Sequence, residues 1–445
     1  MNYLQLNDSD VQRMLNAMGV ERVADLFRDI PAASRLDHPL ALPGPLSEME
    51  LLADLQRLAN ANHGLDELTC FLGGGMYDHF IPTVVDELAS QSEFVTAYTP
   101  YQAEASQGAL QAFYEYQTLI CLLTGMDVSN ASLYEGATAA AEAVLMARAA
   151  TGRKQVVVSA TVHPHTRETL ATYLAALPMQ IVTVEAPAGV TSPEALRAHV
   201  GEQTAAVLIQ TPNVFGCVER LDLLSNIAHD CGAMVIASVD PVSCGLLKTP
   251  GSLGVYIAVG DAQALGIPLS LGGPSLGFMA CKREHMRRMP GRLVGATTDR
   301  SGRRAFCLTL QTREQHIRRE RATSNICTNQ GLCALRVAIH LSALGRGGLA
   351  QVARLCLDKA HYAAERIAGL TGFELRFAAP FFKEFVVRTT KNVDAVLGHA
   401  RRRGILAGVP LGPWYPELSD CLLVAVTEKR TRDEIDRLAA ALNEA

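Results

Sequence analysis

The stretch Ala233-Met-Val-Ile-Ala-Ser-Val-Asp-Pro-Val-Ser-Cys-Gly245 decides the fold of this chain. Its first seven residues are small or apolar and carry no charge, so they predict a strand that is buried on both faces of a sheet. Asp240 follows the strand at once, and the residues from Pro241 to Gly245 have the composition of a turn. A carboxylate that directly follows a buried strand makes Asp240 the first candidate for a functional residue.

Short apolar runs rich in β-branched residues surround this stretch, at 155–159, 180–184 and 205–210. Segments with helical periodicity lie before, between or after them, at 110–123, 137–150 and 221–229. Alternation of this kind predicts an α/β fold with a mostly parallel sheet that is covered on both faces. We expect about seven strands in a large domain over residues 65–330.

The two ends of the chain have a different character. Residues 1–64 predict a helical arm, because Ser47 and Glu50 form a capping box that opens onto a run of leucines. Residues 331–445 predict a smaller C-terminal α+β domain. It begins with a long helix at 331–344, continues with strands at 373–377, 384–388 and 421–426, and ends with a helix from 432.

Composition excludes several classes of function. The chain has 445 residues, of which 49% are hydrophobic and 19% charged, and a net charge of −5. These values describe a well-packed protein and argue against nucleic acid or an anionic membrane as the main partner. We expect no signal peptide and no membrane span, because residues 1–10 lack the required pattern and no apolar run approaches about 18 residues. Eleven scattered cysteines without a CxxC pair predict free thiols, a cytoplasmic location and no metal site.

The sequence does not contain the residue spacing of the common nucleotide-binding motifs. Phe71-Leu-Gly-Gly-Gly75 lacks the third glycine of GxGxxG, since Asp78 stands in that place, and GxxxxGK[ST] is absent from the sequence. Dinucleotide and P-loop binding are therefore poorly supported.

The order of these features resembles that of pyridoxal-phosphate enzymes of the aspartate-aminotransferase-like fold, fold type I. In those enzymes a carboxylate after such a strand pairs with the pyridine nitrogen, and a Schiff-base lysine follows roughly twenty residues later, before a glycine-rich turn. The glycine-rich turn is present here at 270–277, but Gln263 occupies the position of the lysine. An amide cannot form an imine, so we expect no covalent cofactor and no catalytic residue in this chain alone.

Three more residues match cofactor-holding positions of that fold. Gly136 and Thr138 stand at the start of an alanine-rich helix, whose free N–H groups and positive dipole end could hold a phosphate. His163 follows the next strand, where the fold places a ring that stacks on the cofactor. An ordinary capped helix and an ordinary polar loop histidine are the alternatives. With Asp240 and Gln263 these residues form a predicted vestigial cofactor pocket.

The polar segment that contains Thr99, Tyr101, Gln102 and Glu104 leads into the helix predicted at 110–123. So many hydrogen-bonding groups beside apolar runs favour a role at an interface or in a partner's site. A helix cap with buried tyrosines remains the alternative.

Four stretches resemble the glycine cleavage system P-protein, a pyridoxal-phosphate glycine decarboxylase. They are 99–111, 130–142, 290–295 and, most specifically, Leu308-Thr-Leu-Gln-Thr-Arg-Glu-Gln-His-Ile-Arg-Arg-Glu-Arg-Ala-Thr-Ser-Asn-Ile-Cys-Thr328. The resemblance runs over almost the whole chain. It points to the amino-terminal half of that family, the alpha subunit or subunit 1.

The resemblance implies both a reaction and a division of labour. The complex would decarboxylate glycine through pyridoxal phosphate and pass the aminomethyl group to the lipoyl arm of the H-protein, which is glycine dehydrogenase activity. The Schiff-base lysine and the cofactor are expected on the beta subunit (subunit 2), in a two-plus-two heterotetramer. This chain would complete the partner's site and support its loops.

Two other interpretations stay open. The first is an autonomous lyase or decarboxylase of the same fold that uses another lysine. Lys248 is too close to Asp240, and Lys282 lies beyond the glycine-rich turn, so neither has the expected placement. The second is a non-catalytic scaffold. Visible absorbance of the purified chain would indicate the first, and activity that appears only with a second subunit would exclude the second.

Overall fold

The structure is a computed structural model that describes residues 5–36, 38–96, 98–270 and 272–445. Leu271, in the predicted glycine-rich turn, lies outside the described residues, as do Met1–Leu4 at the start of the chain. The chain divides into two compact units, Met1–His63 and Gly64–Ala445. Among the described helices, none is both long and apolar enough to cross a bilayer.

The first unit contains two capped helices, α1 (Asp8–Met18) and α2 (Glu48–Ala59). The capping box predicted for α2 is present, with the Ser47 and Glu50 side chains and backbone N–H groups bonded reciprocally. Leu15 is the one buried residue among those described in this unit, and α2 buries none of its leucines.

The second unit contains the remaining elements. Its helices are α3 (Thr83–Ala89), α4 (Ser92–Val95), α5 (Gln107–Thr124), α6 (Gly136–Thr151), α7 (Pro164–Leu174), α8 (Pro193–His199), α9 (Leu221–Asp230), α10 (Gln315–Arg318), α11 (Gly331–Ala368), α12 (Val393–Arg402) and α13 (Arg432–Asn443). Its strands are β1 (Thr69–Cys70), β2 (Val128–Ser129), β3 (Gln155–Ser159), β4 (Gln180–Val184), β5 (Thr204–Thr211), β6 (Met234–Val239), β7 (Ile257–Asp261), β8 (Gly277–Cys281), β9 (Leu293–Thr298), β10 (Arg304–Thr309), β11 (Phe373–Leu375), β12 (Glu384–Thr389), β13 (Ile405–Leu406), β14 (Val409–Pro410) and β15 (Cys421–Ala425).

The central sheet has seven strands in the order β2-β8-β7-β6-β5-β3-β4. Neighbouring strands from β7 to β4 are parallel, and β8 runs antiparallel to both of its neighbours. Successive residues of β5 enter two different hydrophobic clusters, which include α5, α9 and α11 on one face and α6 and α7 on the other. The predicted fold class, with its mostly parallel seven-stranded sheet, is confirmed.

A second, antiparallel sheet has the order β11-β12-β15-β14 and packs against α12 and α13. α11 leads into this region, and its helical geometry is interrupted at Gly345, which has φ 62°. β1 pairs with β13, so the segment after β1 lies beside the second sheet. The divisions of the chain at residues 64 and 330 stay predictions.

Candidate functional site

Asp240 lies in a buried ion pair at the end of β6. Its Oδ2 is 2.8 Å from Nζ of Lys383, and the two side chains are 9% and 2% exposed. Its Oδ1 accepts a hydrogen bond from the N–H of Val242 at 2.9 Å. Both oxygens of the predicted pyridine-binding carboxylate therefore have partners within the chain.

Lys383 stands directly before β12 and was not recognised in the sequence. Its Nζ lies 3.0 Å from Nε2 of His79 and 3.5 Å from the centre of the Tyr77 ring. A lysine within the apolar run Phe381-Phe-Lys-Glu-Phe-Val-Val387 is the signal that could have found it, because buried lysines are rare unless they are paired.

His79 links this pair to the loop after β15. Its Nδ1 lies 2.6 Å from Oε2 of Glu428, and the N–H of Phe80 donates to Oε1 of the same carboxylate at 2.7 Å. Burial and the nearby Lys383 charge lower the pKa of His79, so the ring is neutral. Burial opposes the charge of Glu428, but hydrogen bonds from His79 and Phe80 favour the carboxylate and lower its pKa. Neutral His79 therefore donates from Nδ1 to Glu428 and accepts from Lys383 at Nε2.

Tyr77 and the glycine run before it enclose Glu384. The Tyr77 hydroxyl donates to Oε2 of Glu384 at 2.7 Å, and the N–H of Gly74 donates to Oε1 at 2.7 Å. A Cβ on Gly73 would overlap this carboxylate, which explains glycine there without any nucleotide. Burial raises the pKa of Glu384 to about 7.

Gln263, in the predicted lysine position, is 4% exposed, and its side chain bonds to the backbone of Tyr77 and Ile267. Its Oε1 accepts the N–H of Tyr77 at 2.9 Å, and its Nε2 donates to the carbonyls of Tyr77 and Ile267 at 3.1 and 2.9 Å. The side chain acts as a bridge between two loops. Tyr77 connects it to Lys383 and thereby to Asp240.

The start of α6, predicted to hold a phosphate, is occupied by two carboxylates. The N–H of Gly136 donates to Oδ2 of Asp261 at 3.2 Å, and the N–H of Thr138 donates to Oε1 of Glu135 at 2.8 Å. Asp261 also accepts from the Gln263 N–H and the Ser275 hydroxyl, and burial raises its pKa.

His163 caps the start of α7 and lies beside the same glycine run. A Cβ on Gly75 would lie 4.0 Å from its ring, and the rings of His165 and Trp414 lie 5.0 and 5.4 Å away in edge-on contact. Burial, with the charge of His165, lowers the pKa of His163 to about 4. The neighbouring Gly74 bonds to Glu384 and thereby to Tyr77, which contacts Lys383, the partner of Asp240.

These residues do not fit pyridoxal phosphate. A cofactor needs a free carboxylate at its pyridine nitrogen and free N–H groups at its phosphate. Asp240 already pairs with Lys383, and the N–H groups of Gly136 and Thr138 already pair with carboxylates.

The same cluster contains three residues of types that can bind a metal ion: His79, Cys356 and Glu428. One possible ligand atom from each of them lies within 4.8 Å of the other two. The Cys356 thiol donates to Glu428 at 3.5 Å, so the three groups satisfy each other by hydrogen bonding. The Lys383 ammonium on the other nitrogen of His79 would repel a cation. We interpret the trio as part of the hydrogen-bond network.

The two lysines considered for an autonomous enzyme lie elsewhere. Lys282 points its Nζ to the carbonyl of Gly251 at 3.5 Å, and Lys248 is exposed at the rim of a different cavity that Cys244 and Leu247 also line.

Thr99 and Tyr101 lie in a separate surface region. The Tyr101 hydroxyl accepts from the Arg292 guanidinium at 2.7 Å, and the guanidinium lies 4.9 Å from the centre of the Tyr101 ring. Arg292 in turn pairs with Glu314 at 2.7 Å, with both side chains 5% exposed. Three of the stretches that resemble the P-protein, at 99–111, 290–295 and 308–328, therefore meet at this point.

A cavity of about 140 Å³ adjoins this region and is lined in part by Thr99, Arg292 and Thr328. The Tyr98 and Thr328 hydroxyls are 2.9 Å apart at its edge. Gln102 and Glu104 are exposed beside Tyr101, before and within a short turn of helix, Ala103–Ala105. We call the segment from Tyr98 to Glu104 the 98–104 surface, in which Tyr98, Tyr101, Gln102 and Glu104 are exposed.

Comparison with known families gives one match over nearly the whole chain. The family model for "Glycine cleavage system P-protein" matches residues 1–442. A protein of Desulforamulus reducens named "Probable glycine dehydrogenase (decarboxylating) subunit 1" is 50% identical over 442 residues, which is 99% of each chain. A protein of the same name from Geotalea uraniireducens is 51% identical over 442 residues, again 99% of each chain.

Solved structures agree with these relatives. The crystal structure of a glycine decarboxylase (P-protein) of the glycine cleavage system, in inhibitor-bound form, superposes with a TM-score of 0.91 and 43% identity over 100% of both chains. A sphingosine-1-phosphate lyase of Burkholderia pseudomallei has a TM-score of 0.67 at 16% identity, over 93% of this chain and 94% of its own. The second likeness shows the fold alone.

Proposed function

The chain belongs to the glycine cleavage system P-protein family, and on that premise we propose that it is subunit 1 of a two-subunit glycine decarboxylase. The curated relatives quoted above carry the name subunit 1 and match it end to end. The complex would decarboxylate glycine and transfer the aminomethyl group to the lipoyl arm of the H-protein. Pyridoxal phosphate, held on subunit 2, would supply the electron sink for the loss of CO2.

The state of Gln263 is the observation that carries this proposal. Its amide is fully used in bonds to the backbone of Tyr77 and Ile267, so the position where a Schiff-base lysine would stand serves to hold loops together. Lys383 cannot replace that lysine, because it pairs with the carboxylate where a pyridine nitrogen would lie, away from the aldehyde carbon. Both observations support the proposal that a second subunit supplies the Schiff-base lysine.

The 98–104 surface supports a role in the partner's site. Tyr101 is 51% exposed although its hydroxyl is held by the buried Arg292–Glu314 pair. A rigid aromatic side chain on a buried support is typical of interface anchors. We propose that Thr99, Tyr101, Gln102 and Glu104 face subunit 2.

The first unit supports docking to the same partner. α2 has 12 residues and buries none of them, and an isolated helix of that length is marginal in water. Leu51, Leu52, Leu55 and Leu58 are 46%, 61%, 51% and 49% exposed. We propose that the α2 leucines bind subunit 2, with a second copy of this chain as the competing occupant.

Reconstitution tests the function. We expect CO2 release from carboxyl-labelled glycine only when the chain, subunit 2, pyridoxal phosphate and lipoylated H-protein are all present. Release by this chain without subunit 2 would contradict the proposal and support an autonomous enzyme. Full release by subunit 2 without this chain would contradict it as well.

The docking helix is tested separately with Leu55→Asp. We expect the affinity for subunit 2 to fall at least about tenfold, because a charge would replace an apolar side chain that the proposed interface would bury. Gln56→Asp is the matched control, since it adds the same charge to an exposed polar position of α2. Unchanged assembly of Leu55→Asp would contradict docking through α2, and disruption of a self-dimer alone would indicate the second copy.

A further inference from the structure

We infer that Lys383 takes the place of the cofactor in this chain, and that its ion pair with Asp240 closes the vestigial site to pyridoxal phosphate. The inference concerns the interior of this subunit and does not depend on the proposed reaction.

The surroundings of Lys383 show a position built for a cation. An ammonium removed from water needs compensating charge and hydrogen bonds. Lys383 has the Asp240 carboxylate at 2.8 Å, the His79 Nε2 at 3.0 Å and the face of Tyr77 at 3.5 Å. A carboxylate, a ring nitrogen lone pair and an aromatic face all favour positive charge.

Side chains of this chain place the same charges at Asp240 and at the start of α6 as a bound cofactor would. A protonated pyridine nitrogen would place a positive N–H on Asp240, and Lys383 places a positive N–H there. A phosphate would place negative oxygens on the start of α6, and Asp261 and Glu135 place carboxylate oxygens there. The chain thus supplies the complementary charges itself.

The pair also joins parts of the unit that are distant in sequence. Asp240 ends a strand of the seven-stranded sheet, and Lys383 precedes β12 of the second sheet. Lys383 also contacts Tyr77 and His79 in the loop after β1. These two residues bond in turn to Glu384 in β12 and to Glu428 after β15. In a holoenzyme the cofactor would lie among such segments, whereas here side chains fill the junction.

Pyridoxal phosphate could enter only by separating Lys383 from Asp240. The displaced ammonium would remain buried beside Tyr77 and His79 without a carboxylate. The Asp261 and Glu135 side chains would also have to leave the N–H groups at the start of α6. Both changes are unfavourable because they strand buried polar groups.

Cofactor content is the first test. We expect the reconstituted complex to hold one pyridoxal phosphate for each pair of subunit 1 and subunit 2, and the isolated chain to retain none after gel filtration. Borohydride reduction followed by peptide mass spectrometry should leave Lys383 unmodified. Retention of one cofactor by the isolated chain, or a reduced adduct on Lys383, would overturn the inference.

A double-mutant cycle on the full chain is the second test. We expect Lys383→Met and Asp240→Asn each to lower the folding equilibrium constant by roughly a hundredfold or more, because each leaves a buried charge unpaired. The folding equilibrium constant of the double variant should be at least about tenfold higher than that of the less stable single variant. Lys248→Met, at an exposed position, is the control and should leave stability unchanged.

Losses that simply add in the double variant would overturn the inference, since they would show that the two charges do not act as a pair. If Lys383→Met fails to fold while the double variant folds, the recovery is demonstrated directly. Neither test measures glycine turnover, so failure of the proposed reaction and failure of this inference are distinguishable.

Discussion

At the scale of single residues, the interior contains several carboxyl groups whose environments differ in kind. Asp240 is paired with a cation, whereas Glu142 of α6 is 2% exposed and its Oε1 has no hydrogen-bond partner. Burial raises the pKa of Glu142 to about 7 from an ordinary value of 4.5. Such a group makes folding sensitive to pH.

The sign of that sensitivity follows from linkage. The folded state binds a proton at Glu142 more tightly than the unfolded state, so its stabilising effect is complete below pH 4.5 and is lost as the pH rises through about 7. We expect Glu142→Gln to remove this pH-dependent decrease in the free energy of unfolding, which amounts to up to about 3 kcal/mol. Urea unfolding of the unaltered chain and the variant between pH 5 and 8 measures the decrease. Parallel pH profiles of the two proteins would contradict the prediction.

Gln263→Glu is a second prediction at this scale. The Gln263 amide donates to the carbonyls of Tyr77 and Ile267, and a carboxylate cannot donate to either. We expect a loss of about 1–3 kcal/mol in the free energy of unfolding, measured in urea. Gln12→Glu, at an exposed position of α1, is the matched control, and equal stability of the two variants would contradict the role of Gln263 as a loop bridge.

Only some residues of the candidate site could be predicted from the sequence. Asp240 and Gln263 could be recognised because their positions are fixed by local spacing from one strand and one turn. The run around Lys383 could have indicated a buried lysine, but its contact with His79, and that of His79 with Glu428, could not be predicted. These contacts depend on the packing of two sheets and on loops that are far apart in sequence. The carboxylates on the α6 N–H groups were likewise missed.

At the scale of elements, α6 packs against β7 with almost no space at its first residue. A Cβ on Gly136 would lie 3.0 Å from the Asp261 nitrogen and 3.1 Å from the Gly260 carbonyl carbon. Backbone atoms of a central strand cannot shift easily, so the start of the helix requires glycine.

We therefore expect Gly136→Ala to destabilise the chain by about 1–3 kcal/mol. Gly347→Ala in α11 is the matched control, because no atom lies within 4 Å of its added Cβ and alanine favours helix. Thermal unfolding of both variants measures the difference. Equal melting temperatures would contradict the close approach of α6 and β7.

The hydrophobic periodicity predicted the strands of the seven-stranded sheet well. An apolar run between two helical patterns indicates both that a strand is present and where it lies in the sequence. The predicted strands at 155–159 and 180–184 coincide with β3 and β4. The β9–β10 hairpin and the pairing of β1 with β13 were not anticipated. β1 and β13 are far apart in sequence, so no single segment encodes their pairing.

At the scale of the whole molecule, the 98–104 surface and the α2 leucines are both exposed in the single chain. We expect Tyr101→Ala and Gln102→Ala to lower glycine decarboxylation in the reconstituted complex by about ten- to several-hundredfold. The isolated chain should lose little stability from the Gln102 change, because that side chain is exposed.

The control for these variants is Glu93→Ala, an exposed position of α4 just before the same segment. Unchanged kinetics and unchanged assembly in both variants would mean that the 98–104 surface serves only as a helix start.

The Asp240–Lys383 pair also bears on how such a subunit could change over evolutionary time. A lysine restored at position 263 would still meet an Asp240 that is already neutralised, so that single substitution would gain no cofactor. Loss of Lys383 alone would strand a buried carboxylate and reduce stability before any benefit appeared. Conversion of this subunit to an autonomous enzyme would therefore require several coordinated substitutions, each unfavourable when it occurs first. The pair thus acts as a barrier to any gain of cofactor binding by single substitutions.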